Sequence, residues 1–173
     1  MFVNIGSAKE PSDIVDLLLE CHERIRSFIA LARRLAEARN ASEHEIREAA
    51  ARVVRYFSES LPLHVADEEE SILPRLSGRE PGLDAALESM HREHDEHAPH
   101  LRQLLDICRA LQASPERLGE TREDLGRVAA LLEKDFLVHL QEEERIILPA
   151  IRSHLAAAER DAMLLELRAR RAL

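Results

Sequence analysis

Apolar residues recur every three or four positions along most of the chain, which is the spacing that places them on one face of an α-helix. Four long stretches with this pattern follow one another and a shorter one closes the chain, over residues 12–39, 42–76, 83–112, 121–153 and 157–172. Four amphipathic helices joined by short loops bury their apolar faces most simply by packing up-down-up-down. The pattern therefore predicts an all-α fold, an antiparallel up-down-up-down four-helix bundle with a short C-terminal fifth helix.

Local signals refine the bounds of these helices. Ser42 is a good N-cap for the second helix, and Glu45 stands at the position that completes a capping box. Residues 113–120 contain proline and glycine and predict the loop before the fourth helix. Pro62 lies inside the second helix, where its missing N–H predicts a kink at residues 58–61.

Composition supports the helices and limits the function classes. Among 173 residues there are 27 Leu, 24 Ala and no Trp, which favours helices over sheets. The net charge of −9 disfavours nucleic acid or an anionic membrane surface as a partner. No apolar run is long enough to span a membrane, and the N-terminus lacks the features of a signal peptide. We expect one cytoplasmic domain over residues 1–173, with an N-terminal extension at 1–11 and the C-terminal helix at 157–172.

Two segments of the chain repeat each other at a constant distance. His64–Pro74 and His139–Pro149 share His, Glu, Ile, Leu and Pro at matching positions, an offset of 139 − 64 = 75. The helices that precede them align at an offset of 94 − 22 = 72, which pairs His22 with His94. The bundle therefore consists of two similar helix pairs, each with one single His and one His-x-x-x-Glu motif.

The two His-x-x-x-Glu motifs lie on apolar helix faces. An i,i+4 spacing places His64 and Glu68 on one face, and likewise His139 and Glu143. Both faces are otherwise apolar, and no arginine occupies either of them. Because burial of an unpaired carboxylate is costly, we expect a cation between these residues, and His and Glu together suit iron, manganese or zinc.

The third helix offers histidines at every third position: His91, His94, His97 and His100. His94 and His97 lie closest to the apolar face, and His94 is the match to His22. His97 is open to three interpretations: a fifth nitrogen ligand, a partner of a ligand, or a core histidine. His91 could also bind a metal, although it belongs more naturally to the polar face. The candidate metal ligands are thus His22, His64, Glu68, His94, His139 and Glu143.

The remaining polar residues near these motifs are predicted to be structural. Asp67, Glu69, Glu70, Glu142 and Glu144 point away from the apolar faces and are expected in solvent, as are the arginines of residues 168–171. Cys21 and Cys108 form no CxxC motif and are expected to fill core space.

These residues resemble the hemerythrin-like, or HHE cation-binding, domain family. That family carries a His on helix one, His-x-x-x-Glu on helix two, a His on helix three and His-x-x-x-Glu on helix four. The matching residues here are His22, His64 with Glu68, His94, and His139 with Glu143. The resemblance covers nearly the whole chain as one hemerythrin-like domain. It implies two non-haem iron ions, bridged by the two carboxylates and by an oxo or hydroxo oxygen.

Two other metal-site patterns fit less well. A ferritin-like centre needs two Glu-x-x-His motifs, and only Glu88–His91 has that spacing. The His-Glu-x-x-His motif of zinc proteases does not occur.

Counting ligands separates the functions within the resembled family. Two octahedral metals offer twelve positions; four His and two bridging Glu fill eight, and a bridging oxygen fills two more. Hemerythrins supply five His, two of them at i,i+4 on helix three, which this chain lacks. Two open positions favour redox chemistry with O2, peroxide or NO in oxidative or nitrosative stress or iron handling. The alternatives are a sensor, carrier or store of iron, O2 or NO without catalysis, or a purely structural metal. The sequence indicates neither an electron donor nor an oligomeric state.

Overall fold

A computed structural model describes residues 13–172 of the chain. Five helices make up this part: α1 Ile14–Glu37, α2 over 43–76, α3 Pro81–Ala113, α4 over 118–154 and α5 Ala157–Ala172. These residues contain no β-strand, so the all-α prediction is confirmed. The predicted N-terminal extension, residues 1–11, lies outside the described residues. None of the described helices is both long and apolar enough to span a membrane.

The first four helices form a ring in which α1 packs on α2 and α4, and α3 packs on the same two. Two apolar clusters fill the ring, one at each end. The first contains Ile29 from the second half of α1 and Ile46 from the start of α2. The second contains Leu18 from the first half of α1 and Leu76 from the end of α2. Since α3 and α4 alternate between the clusters in the same way, the four helices run antiparallel in turn.

Three prolines are each preceded by a wide, π-helical turn. These turns are Tyr56–Ser60 and Asp67–Ile72 in α2, and Glu143–Ile147 in α4. Each is followed by a Leu-Pro pair whose leucine N–H bonds to the carbonyl five residues back. Proline has no N–H and its ring crowds the carbonyl four residues back, which accounts for the extra residue in the turn. The kink predicted from Pro62 is thus a π turn. The π turns at Asp67–Ile72 and Glu143–Ile147 were not predicted from the sequence.

The start of α2 agrees with the sequence prediction, whereas the start of α4 differs from it. Ser42 and Glu45 form the predicted capping box, with Glu45 N–H donating to Ser42 Oγ at 3.3 Å and Ser42 N–H to Glu45 Oε2 at 2.8 Å. The predicted loop at 113–120 is wrong in its second half, because α4 begins at Leu118 instead of residue 121. Leu118 is buried in the first apolar cluster, and its burial stabilises the earlier start.

The fifth helix covers the end of the bundle that holds the second apolar cluster. Met163 and Leu167 are fully buried in that cluster. The helix contacts α1 and the π turn Asp67–Ile72. It therefore fixes the part of α2 that carries Glu68.

Candidate metal centre

The six candidate ligands meet at the middle of the bundle, between the two apolar clusters. His22 comes from α1, His64 and Glu68 from α2, His94 from α3, and His139 and Glu143 from α4. Their side chains are only 1–9% exposed. Both glutamates stand at or beside the start of a π turn, so the wide turn sets the direction of each carboxylate. The π turns that precede the Leu-Pro pairs thus help to position the two glutamates of the site.

Donor atoms in this centre form two groups that could each hold a metal ion. One group is His22, His64, Glu68 and Glu143; the other is His94, His139, Glu68 and Glu143. In each group the ligand atoms lie within 4.8 Å of one another. Both carboxylates belong to both groups, whereas each histidine belongs to one.

Each carboxylate divides its two oxygens between the groups. Glu68 Oε1 lies 3.0 Å from His64 Nε2, and Glu68 Oε2 lies 3.1 Å from His94 Nε2. Glu143 Oε1 lies 3.0 Å from His139 Nε2, and Glu143 Oε2 lies 3.1 Å from His22 Nε2. Two histidine nitrogens and two carboxylate oxygens therefore converge on each group, an arrangement suited to two cations bridged by two carboxylates.

Most of these inward atoms are buried without an aligned hydrogen-bond partner in residues 13–172. They are the Nε2 atoms of His22, His64 and His94, Oε2 of Glu68 and both oxygens of Glu143. Buried polar groups in proteins are normally hydrogen-bonded, because leaving them unpaired costs free energy. A cluster of lone pairs aimed at two common points is what a pair of metal ions requires, so the residues present fit such a centre.

Three of the four ligand histidines are held from behind by a carboxylate. His22 Nδ1 lies 2.9 Å from Glu144 Oε1, His94 Nδ1 lies 2.9 Å from Glu69 Oε1, and His139 Nδ1 lies 2.8 Å from Glu93 Oε2. A carboxylate on the outer nitrogen fixes the tautomer of a ligand histidine and raises its basicity. These contacts leave each Nε2 free for a cation.

The fourth histidine breaks the symmetry of the two helix pairs. The thiol of Cys21 lies beside His64, at the position that Glu93 takes beside His139; the offset of 93 − 21 = 72 matches that of the single histidines. Cys21 and Cys108 are both buried and free, as expected of core cysteines, but Cys21 also contacts Arg171 at 3.6 Å. Burial raises the pKa of Cys21, yet His64 and Arg171 outweigh it, so that the pKa lies below its usual value. One half of the centre is thus backed by a carboxylate and a thiol, and the other by two carboxylates.

Mutual charges shift the pKa values of the ligands on α2, α3 and α4 in the metal-free protein. Burial lowers the pKa of His139, but Glu143 outweighs it and raises that pKa from 6.5 to about 9. The pKa of His64 is likewise well above 6.5, because Glu68, Cys21 and Glu143 together outweigh the effect of burial. Burial raises the pKa of Glu68, yet His64 and His94 hold it well below 4.5. Imidazolium–carboxylate pairs therefore occupy the centre, and a metal ion must displace their protons.

The prediction that Asp67, Arg170 and Arg171 face solvent is wrong, whereas Arg168 is exposed as predicted. Asp67 is fully buried; its Oδ1 accepts from Arg170 at 3.0 Å and its Oδ2 from Arg171 at 2.5 Å. Glu166 of α5 adds a bond to Arg75 at 2.6 Å. Asp67 lies three residues after His64, at the edge of the inward face of α2, and α5 covers that edge, which the pattern of α2 alone does not reveal. These pairs tie α5 to the turn that carries Glu68.

The other predicted residues are divided between the centre and the surface. Glu69 and Glu144, predicted in solvent, are half-buried behind His94 and His22, which corrects that prediction. Glu70 and Glu142 are largely exposed, as predicted. His91 is exposed and its Nδ1 lies 3.0 Å from Glu69 Oε1.

His97 is buried but lies in neither donor group. Its side chain packs beside Phe136, with ring centroids 4.8 Å apart, and beside His139 at 5.2 Å. Its Nδ1 has no hydrogen-bond partner among the described residues. Together with His64, His94 and His139, it lines a small inner cavity of about 30 Å³. The remaining walls of the inner cavity are Leu61, Val65, Leu101 and Phe136.

Sequence reasoning missed the supporting residues Glu93, Glu69 and Glu144, although one signal was present. Glu69 and Glu144 each follow a candidate ligand and are themselves related by the offset of 144 − 69 = 75. A polar residue that repeats together with the ligands is a candidate for the same site. Cys21 had no such signal, because its counterpart Glu93 is chemically different.

Comparison with known families agrees with this geometry. A sequence model described as the hemerythrin HHE cation binding domain matches residues 13–151. The match spans the four bundle helices with all six candidate ligands and stops before α5. No relative with a curated description matches the chain significantly. Since the match covers most of its length, the chain belongs to the hemerythrin HHE cation binding domain family.

Proposed function

We propose that this chain is a non-haem diiron protein that holds two iron ions in the bundle core and reacts with O2, peroxide or NO. The observation that carries the proposal is the sharing of two buried carboxylates between two histidine pairs. In this arrangement His22 and His64 bind one ion, His94 and His139 bind the other, and Glu68 and Glu143 bridge them.

Ligand number and type support iron chemistry at this centre. Each ion receives two imidazole nitrogens and two carboxylate oxygens, and six-coordinate iron then retains positions for a small molecule. A structural metal site normally has no open position, so this count favours reactivity over a purely structural role. When bound, a pair of non-haem irons supplies one-electron and O2 chemistry.

The inner cavity limits the reactant to a very small molecule. Its volume is about 30 Å³, whereas one water molecule needs roughly 10–15 Å³, so the cavity has room for only two or so water-sized groups. Leu61, Val65, Leu101 and Phe136 form its apolar walls, and three ligand histidines together with His97 form the rest. O2, NO and hydrogen peroxide fit such a space, whereas a larger organic substrate does not.

The placement of His97 supports reactivity over reversible oxygen carriage. A fifth histidine ligand would close one of the remaining positions, and His97 belongs to neither donor group. Its ring lines the inner cavity next to His139. We therefore assign a role in oxidative or nitrosative stress, or in iron handling, ahead of a role as an oxygen carrier or sensor.

Adding peroxide or NO to the reduced, iron-loaded protein tests this proposal. We expect stoichiometric or catalytic consumption that requires iron and survives the substitution His97→Leu. The iron-free protein is the control. A stable, reversible oxygen adduct that is lost only in His97→Leu would contradict the proposal and indicate a carrier.

A further inference from the structure

We propose that a polar cleft between α3 and α4 captures divalent cations and passes them to the buried centre by way of His97. The inference rests on the metal centre proposed above, whose ligands are almost completely buried. A cation from solvent must therefore cross the protein at some point on the surface. Three surface clefts lie near the centre, and they differ in the charge and polarity of the side chains that line them.

The cleft is rich in groups that bind divalent cations. Its polar lining consists of Glu93, Glu96, His97, His100, Lys134 and Asp135, and its volume is about 380 Å³. Three carboxylates and one ammonium give these lining residues a charge of −2 with the histidines neutral. Carboxylate oxygen and imidazole nitrogen are ligands for iron, manganese, cobalt and zinc. Six waters around a cation occupy roughly 180 Å³ at about 30 Å³ each, so a hydrated ion fits.

His97 connects this cleft to the inside of the protein. Among the residues that line the cleft, it alone also lines the inner cavity, where His64, His94 and His139 are its neighbours. His97 is only 6% exposed, and its Nδ1 has no hydrogen-bond partner in the described part of the chain. A buried imidazole with an unpaired nitrogen can bind a cation transiently between the two spaces.

Glu93 gives the cleft a second link to the centre. This carboxylate lines the cleft and its Oε2 lies 2.8 Å from His139 Nδ1. The wall of the cleft is thus continuous with the support of one ligand histidine. We infer that the group formed with His94 and His139 loads first.

The equivalent cleft on the other helix pair is unsuited to cations. Its lining residues are Arg24, Phe28, Arg52, Arg55, Tyr56 and Ser60. By the offsets of 72 and 75, Arg24 stands where Glu96 does and Ser60 where Asp135 does. Ile25, which is fully buried, stands where His97 does. Three arginines repel a cation, and the isoleucine offers it no ligand. Of the two related clefts, only the one between α3 and α4 is therefore suited to cation entry.

A third cleft reaches the inner cavity through Phe136, and its chemistry is mainly apolar. Ile29, Ala30 and Leu137 line it with Phe136, Arg26 and Glu133. A hydrated cation gains nothing from such walls. Glu133, however, provides a matched control for a glutamate in the polar cleft.

The rate at which the metal-free protein takes up Co²⁺, followed by absorbance in a stopped-flow instrument, tests the proposal without any measurement of activity. We expect Glu96→Arg, which copies the other cleft, to slow uptake by about tenfold, because electrostatic steering changes association rates by factors of this order or more. Glu96→Gln has a smaller effect of the same sign, and added salt slows the wild type more than Glu96→Arg. His97→Leu also slows uptake, while the final cobalt content stays that of the wild type. Glu133→Gln leaves the rate unchanged.

Three results would overturn the proposal. Equal uptake rates for the wild type and Glu96→Arg would show that the cleft is not used. Faster uptake in His97→Leu would show that His97 obstructs the path instead of passing the ion. Less than one cobalt per wild-type chain would overturn the proposed metal centre as well, whereas normal content with altered rates leaves that centre intact.

Discussion

Glu93 Oε2 lies 2.8 Å from Nδ1 of His139, and this contact turns the opposite nitrogen of the same ring toward Glu143 at 3.0 Å. In the other helix pair the thiol of Cys21 lies beside His64, whose Nδ1 has no aligned hydrogen-bond partner among the described residues. The two halves of the centre therefore share their ligands but differ in what holds the ligands in place.

Replacement of Glu93 by Gln should weaken metal binding at equilibrium by about 10- to 100-fold, the usual effect of losing a carboxylate behind a ligand histidine. Cys21→Ser should have a much smaller effect, because His64 Nδ1 has no aligned hydrogen bond among the described residues that the substitution could remove. Competition titrations with a chelator measure both affinities. Equal losses in the two variants would contradict the difference between the halves.

Replacement of either bridging carboxylate should affect both metals together. In Glu68→Gln or Glu143→Gln, one oxygen of the bridge becomes an amide nitrogen, which is not a ligand. We expect loss of the magnetically coupled iron pair, seen by Mössbauer spectroscopy, and an iron content below that of the wild type. Glu142→Gln, a neighbour whose side chain is 41% exposed, is the control. A coupled pair that persists in both bridge variants would refute the bridging role.

The metal-free protein should lose stability as the pH rises from about 6.5 to about 9. The folded-state pKa of His139 is raised from 6.5 to about 9, chiefly by Glu143 against the effect of burial. A raised histidine pKa stabilises the folded state fully below its unfolded value and no longer does so above its folded value. Thermal unfolding of Cys21→Ser measures the trend, because the lowered pKa of that thiol acts in the opposite direction at the upper end of the range.

The control for this pH dependence is His139→Gln in the same Cys21→Ser background. It should show a shallower fall in melting temperature over the same interval. His97 does not disturb the comparison: burial lowers its pKa, so its contribution changes only below pH 6.5. A melting temperature that is constant or rises between pH 6.5 and 9 would contradict the assigned ion pairs.

Removal of Arg171 should destabilise the protein by about 2 kcal/mol, because it leaves the buried Asp67 with Arg170 as its remaining charged partner. Urea unfolding of Arg171→Ala provides the measurement. Arg24→Ala is the matched control, since its pair with Glu20 is exposed, 3.7 Å long and worth less than about 1 kcal/mol. A loss no larger than the control's would show that α5 does not anchor the π turn through Asp67.

Chelation should leave the protein helical while lowering its melting temperature. The two apolar clusters supply most of the stability, and bound metal adds to it by mass action on the folded state. Circular dichroism before and after chelator treatment checks this. Complete unfolding on metal removal would favour a structural metal over a reactive one.

The fold was largely predictable because long amphipathic helices with short loops have few ways to bury their apolar faces. The repeat at an offset of 75 also located His64, Glu68, His139 and Glu143 on inward faces, and the structure brings them together. The direction of neighbouring side chains was harder to predict. Each Leu-Pro pair adds a residue to the preceding turn, which changes the phase of the helix beyond it, and α5 covers the face of α2 that holds Asp67.

Residues behind the ligands required tertiary structure. Glu93 and His139 are 46 positions apart, and Cys21 reaches His64 from another helix. Helical periodicity describes one helix at a time and does not show which side chains meet between helices. The same limit explains why His97 could not be assigned from its spacing alone.

The most direct test of the central claim is the iron content of the aerobically purified protein, measured together with its optical spectrum. We expect close to two irons per chain with absorption typical of an oxo-bridged pair, and loss of one or both irons in His64→Ala and His139→Ala. The control is His44→Ala, which should lose none, because His44 is exposed at the start of α2 and belongs to neither donor group. Less than one transition metal per chain, or equal metal content in all three variants, would contradict the assignment of a diiron centre to these six residues.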